Sequence, residues 1–203
     1  MTDQIIDVSH HNGYIDWGQV KPNIAGAVLR MGYRGYTTGK IMMDKQFLHN
    51  EKMCNLLSIP HEFYYFPTDI NQFECMQSAV WIADHLREYD QTPLKIWLDS
   101  EMSNVRHDGR SDKLEKDERT NLLLSLRTYL EMIRPDWIVG IYASQSWFYD
   151  HLSLARLYQA HVPLWCARWG KAPDISCMMW QYSDKGSIPG IDSRVDLNRV
   201  GWM

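Results

Sequence analysis

The sequence predicts an α/β fold: a mainly parallel sheet of eight strands closed into an irregular barrel with about five helices. Three observations predict it. Eight short apolar runs, rich in β-branched and aromatic residues, recur along the 203 residues with turn residues between them. Helical periodicity fills each gap between the first six runs, and strand–helix alternation implies a parallel sheet covered by helices. The last three runs follow one another largely without helices, so closure of the barrel is irregular at its end.

The first strand is read at 4–9 (QIIDVS), and a short helix follows Asp16. The second strand is 24–31 (IAGAVLRM), followed by a helix over 44–57 with Asp44 as its cap. The third strand is 59–66 (IPHEFYYF). The clearest helix spans 72–89, where Asn71 can cap and Glu74 at the third helical position makes a capping-box-like start. Phe73, Met76, Val80, Ala83 and Leu86 are predicted to form its buried face. After the strand at 94–99 (LKIWLD), a helix over 116–134 places Leu122, Leu126, Tyr129, Leu130 and Ile133 on one stripe, and Pro135 stops it. A strand at 137–142 (WIVGIY) and a helix over 145–160 come next. Strands at 163–168 (PLWCAR), 177–182 (CMMWQY) and 193–197 (RVDLN) end the chain. No repeat, linker or low-complexity tract divides it, so 1–203 reads as a single domain.

Composition narrows the function classes. The chain is 45% apolar and 23% charged, as globular proteins are. A net charge of −4, with no stripe of Lys and Arg, argues against nucleic acid. The one strongly charged run, RHDGRSDKLEKDER at 106–119, reads as a solvated loop entering a helix. Cys54, Cys75, Cys166 and Cys177 are scattered without a C-x-x-C, which disfavours zinc and thioredoxin-like chemistry, and no cofactor is expected. The start MTDQIIDVSHH lacks the basic and apolar regions of a signal peptide, and no stretch is apolar enough for a membrane span. Synthesis in the cytoplasm with free thiols is therefore expected.

The chemistry-bearing residues are acids at strand ends, where barrels of this kind place their sites. Asp7 is late in the first strand, Asp99 and Glu101 end the fourth, and Asp196 is late in the last. Asp99 and Glu101 are two apart, so in extended chain both face one way. Two nearby like charges raise the pKa of one, leaving a protonated acid beside an ionised carboxylate. Glycoside hydrolysis needs such a pair. A metal-dependent hydrolase using His10, Asp7 and Asp99 is the competing reading, although adjacent His10 and His11 point apart on a strand. Ser9 and Ser144 have no evident triad around them.

Several separated motifs together resemble glycoside hydrolase family 25, the Chalaropsis-type lysozymes. They are DVSHHNGYIDW (7–17), LRMGYRG (29–35), FYYFP (63–67), WLDSE (97–101), GIYAS (140–144), PLWCARWG (163–170) and WQYSDKGSIPGIDSRVDLN (180–198), in the family's order over nearly the whole chain. The resemblance implies a TIM-like barrel and N-acetylmuramidase activity on the peptidoglycan glycan strand. It makes Glu101 the general acid, Asp99 its neighbour in the D-x-E motif, and Asp7 and Asp196 the other two acids. Either Asp99 orients the substrate's 2-acetamido group, whose carbonyl attacks the sugar carbon, or Asp99 or Asp7 is the direct nucleophile. Tyr64, Tyr65, Tyr142, Trp180 and Tyr182 are the candidate sugar contacts. One departure is that Tyr65 stands where many members have histidine, a phenol expected near the mouth. On this reading 1–203 is one catalytic domain with no appended wall-binding module, an endolysin-like enzyme that acts on the wall after release. A catalytically silent wall-binding module on the same fold is the other alternative.

Overall fold

A computed structural model describes residues 3–89 and 93–202. Its strands are β1 (Ile5–Val8), β2 (Gly26–Arg34), β3 (Ile41–Met43), β4 (His61–Phe66), β5 (Lys95–Asp99), β6 (Ile138–Ser144), β7 (Leu164–Ala167), β8 (Cys177–Gly186) and β9 (Val195–Trp202). Its α-helices are α1 (Trp17–Val20), α2 (Phe47–Leu56), α3 (Gln72–His85), α4 (Lys116–Ile133), α5 (Gln145–Asp150) and α6 (Leu154–Gln159). Hydrogen-bonded neighbours run β1-β9-β8-β7-β6-β5-β4-β2-β3, and β1 also pairs with β2, so eight strands close into a ring and β3 is an extra edge on β2. All eight expected strands are present. The added β3 is three residues long, too short for its pattern to stand out in sequence. The helix expected over 145–160 is two helices, and the break is pinned where the Ser153 amide donates to Thr120 Oγ1 at 2.9 Å.

By compactness the chain divides into two units, one of 1–32, 43–64 and 164–203, the other of 33–42 and 65–163. In the first, β1 runs parallel to β2 and antiparallel to β9, with Asp7 opposite Asp196. β7 and β8 are parallel, whereas β8 and β9 are antiparallel. The reversal of β9 corrects the placement of Asp196, which lies at the start of the strand rather than late in it. An antiparallel strand begins beside the place where its neighbour ends, so the acid still meets Asp7. Ile6, Val8, Val28, Leu29, Met31, Trp17 and Trp165 are among the buried residues of this unit. Asp16 caps α1 through the amides of Gly18 and Gln19. Asp44 does not cap α2, whose N-cap is Gln46; its carboxylate takes the Gln46 amide at 2.9 Å and Arg30 at 2.7 Å.

In the second unit β5 and β6 are parallel, from Lys95 opposite Ile138 to Asp99 opposite Tyr142. Asn71 caps α3 by accepting from the Glu74 amide, as expected, but Glu74 reaches back to the Ile70 amide rather than to Asn71. The buried face of α3 is also displaced from the expected stripe. Cys75, Ser78, Ala79, Ile82 and Ala83 are buried with Leu86, whereas Phe73, Met76 and Val80 are exposed. A polar network turns the helix this way. Ser78 Oγ donates to Asp69 at 2.9 Å and meets the Tyr65 hydroxyl at 3.2 Å and Arg34 at 3.1 Å, and Arg34 forms a buried ion pair with Asp69. A buried ion pair is tolerated only when its remaining groups are bonded, and the small side chains of α3 let the helix close onto it. On α4, Leu122, Leu126 and Leu130 are buried as expected, Leu123 joins them, Tyr129 is half-buried and Ile133 is exposed.

Candidate active site

In the first unit the site is built around Asp7. Alternation along β9 puts Asp196 and Asn198 on one face, and β8 sets Gln181 opposite Asn198. Asp7 Oδ2 accepts from Asn198 Nδ2 at 2.7 Å and from Gln181 Nε2 at 3.1 Å. The same Gln181 nitrogen lies 3.4 Å from Asp196 Oδ2, so one amide bridges both carboxylates. Asn198 is oriented in turn by the Trp165 indole at 2.8 Å, and Gln181 by the Trp169 indole at 3.3 Å. Gln181, Asn198 and Trp165 are almost wholly buried. Burial pushes the Asp7 carboxyl up from 3.8 to about 6, against the opposing pull of the hydrogen bonds from Asn198, Gln181 and Asp196. The arrangement holds a carboxyl that gains or loses its proton close to neutrality beside a second acid.

Sequence reasoning did not single out Gln181, Asn198, Trp165 or Trp169. A signal existed, since Asn198 is two residues after Asp196 on a strand and Gln181 sits inside WQY. Two expected sugar contacts are engaged elsewhere. Trp180 and Tyr182 flank Gln181, with ring centroids 5.9 Å apart, the Trp180 indole on the Arg168 carbonyl and the Arg199 guanidinium over both rings. Tyr64 is largely buried and meets Trp165 edge-on at 6.3 Å. Trp169, 56% exposed, is the accessible ring next to the carboxylates' amide bridge.

His10 turns to Asp44, with Nδ1 2.8 Å from its carboxylate and the Arg30 guanidinium alongside. This ties His10 to a structural ion pair of β2. Among the described residues, no group of three or more His, Cys, Asp and Glu side chains is disposed to hold a metal.

In the second unit Asp99 ends β5 and is buried, and Glu101 is exposed in the bend beyond it. The strand stops at Asp99, so the expected alternation does not extend to Glu101. The half-buried Tyr142 lies opposite Asp99, and the Ser100 amide donates to the Tyr142 carbonyl at 2.9 Å. Tyr65 is wholly enclosed with its hydroxyl on Ser78 and its phenol pushed well above its ordinary range by burial. The expectation of a phenol near the mouth is therefore corrected: side chains alternate along β4, and Tyr65 faces α3.

Residues 6–191 match the model of glycosyl hydrolases family 25. The chain belongs to this family. Lysozyme M1 of Streptomyces globisporus is 26% identical to this family 25 chain over 212 residues, which span 97% of the chain and 67% of that protein. Among solved structures, the modular autolysin LytC of Streptococcus pneumoniae, in complex with a synthetic peptidoglycan ligand, is 25% identical with a TM-score of 0.78. It is matched over 96% of this chain, which spans 46% of LytC. The bacterial lysozyme of Streptomyces coelicolor, 22% identical with a TM-score of 0.74 over 98% of this chain and 92% of its own, shows the shared fold, a TIM-like α/β barrel. This family 25 chain is accordingly a glycoside hydrolase.

Proposed function

We propose that this glycoside hydrolase is a muramidase, cleaving the β-1,4 bond between N-acetylmuramic acid and N-acetylglucosamine in peptidoglycan. The observation that carries the reading is the pair of unlike carboxyls in WLDSE, one buried and one exposed, in a chain of family 25. An exposed carboxylic acid can reach a glycosidic oxygen, and a second carboxyl group two residues away can balance the charge of a cationic transition state. Glu101 protonates the leaving oxygen. Asp99 orients the 2-acetamido group, whose carbonyl attacks the anomeric carbon, a substrate-assisted route known among glycosidases. Asp7 and Asp196, bridged by Gln181, hold and orient the sugar, with Asp7 donating or accepting a hydrogen bond according to its proton. Trp169, Tyr142 and Tyr64 supply flat apolar faces for sugar rings; Tyr65, Trp180 and Tyr182 are left out of that platform because they are engaged elsewhere. The chain's substrate lies in the wall, and no helix among the described residues is long and apolar enough to cross a membrane.

Digestion of purified peptidoglycan tests the reading. The expected product carries its new reducing end on N-acetylmuramic acid. New ends on N-acetylglucosamine, or freed peptide termini with intact glycan, overturn it.

A further inference from the structure

Ser100, between the two acids of WLDSE, has no part in the chemistry above, yet it is buried and bonded on two sides. Its amide continues the β5–β6 ladder one step past Asp99, donating to the Tyr142 carbonyl at 2.9 Å. Its hydroxyl accepts from the Trp147 indole Nε1 at 3.0 Å. Trp147 is largely buried and itself tightly held. Its amide donates to Ser144 Oγ at 3.2 Å, the capping residue at the end of β6. Its ring lies 3.9 Å from the His151 ring, and the Arg119 guanidinium sits 4.9 Å from its centre. Arg119 is buried on α4 and anchored to the Ser111 carbonyl at 2.8 Å. With Asp69, Ser111 and Leu122 it also lines a cavity of about 20 Å³ that Ser100 walls.

We propose that Trp147, held by Arg119 and the end of β6, is a positioning residue that fixes Asp99 and Glu101 through the hydroxyl of Ser100. A buried tryptophan N–H ordinarily finds an acceptor; here the acceptor is the one residue between the two acids. The β5–β6 ladder ends with the Ser100 amide on the Tyr142 carbonyl, and the Trp147–Ser100 bond ties down the same residue where the chain turns into Glu101. An acid displaced by about 1 Å loses on the order of a hundredfold in rate while the rest of the substrate binds as before. The inference rests on the muramidase reading above for the roles of Asp99 and Glu101.

The test compares Trp147→Phe, Ser100→Ala, the double variant and Ser100→Thr on soluble peptidoglycan fragments of defined length, with Glu101→Gln as control. Circular dichroism and thermal melts verify folding. Trp147→Phe keeps a ring but loses the donor and is expected to lower kcat about tenfold to a hundredfold with KM within about twofold. Ser100→Ala should match it, Ser100→Thr should recover most of that loss, and the double variant should lose no more than the worse single one, since both remove one interaction. If Trp147→Phe misfolds, Ser100→Ala and its recovery by Ser100→Thr decide alone. Folded single variants with wild-type kcat, losses that multiply in the double variant, or losses confined to KM overturn the positioning role. An active Glu101→Gln instead overturns the assignment of the acid, so the two failures are told apart.

Discussion

Burial of Asp7 makes a prediction that reverses the usual effect of removing an active-site acid. Asp7 is raised from 3.8 to about 6 by desolvation, so the folded chain binds its proton more tightly than the unfolded chain does. Protonation of this group therefore stabilises the fold fully below pH about 4, and the stabilisation is lost as the pH rises through about 6. The difference between the two pKa values corresponds to about 3 kcal/mol against the fold at pH 8. Asp7→Asn removes the charge and keeps the shape. Its carbonyl can still accept from Asn198 and Gln181, which stand at 2.7 Å and 3.1 Å, and its new N–H₂ has the Asp196 carboxylate to donate to. Urea unfolding at pH 4, 6 and 8 measures the effect. The variant is expected to equal wild type within about 1 kcal/mol at pH 4 and to exceed it by about 2–3 kcal/mol at pH 8, while losing activity. A difference that does not grow with pH, or a variant less stable than wild type at pH 8, would refute the claim that burial costs the charged carboxylate its stability there.

Glu101→Gln is expected to lower turnover by about 10²- to 10⁴-fold without loss of folding, and Asp99→Asn to be comparably severe; reducing-end release by the folded variants checks both. Ile82→Ala on the buried face of α3 should cost about 2–5 kcal/mol in urea unfolding, whereas Phe73→Ser on the exposed face should stay within about 0.5 kcal/mol. The four cysteines are buried, and burial pushes Cys75 and Cys166 up to about 12 and Cys177 to about 11, so a thiol reagent should label none of them in the native protein and all four in urea. Rapid labelling of the native chain would show that these thiols are reached without unfolding.

The eight strands of the ring, their positions and the two long helices were legible from the sequence because each depends on a local period, whereas the three-residue β3 is too short to show one. Runs such as IAGAVLRM and LKIWLD have no plausible reading but buried strands, and the leucine spacing of 116–133 has none but a helix. The acids were legible for a similar reason: a carboxylate at the end of an apolar run is conspicuous wherever the chain then goes. What local pattern does not contain is direction. A strand reads alike whether it runs parallel or antiparallel, so only the tertiary structure reversed β9 and set Asp196 at its start, opposite Asp7. Periodicity likewise narrows a helix face only to within a residue or so, and on α3 the choice fell to Ser78, drawn inward by the Arg34–Asp69 pair, over the larger apolar Phe73 and Val80. The same limit hid Gln181, Asn198 and Trp147. Amides and indoles are ordinary residues in sequence and acquire a role only through the partner that folding brings within hydrogen-bond reach, and that partner is 15 to 191 residues away for the bonds that hold Asp7 and Asp196 and 47 for the one that holds Ser100.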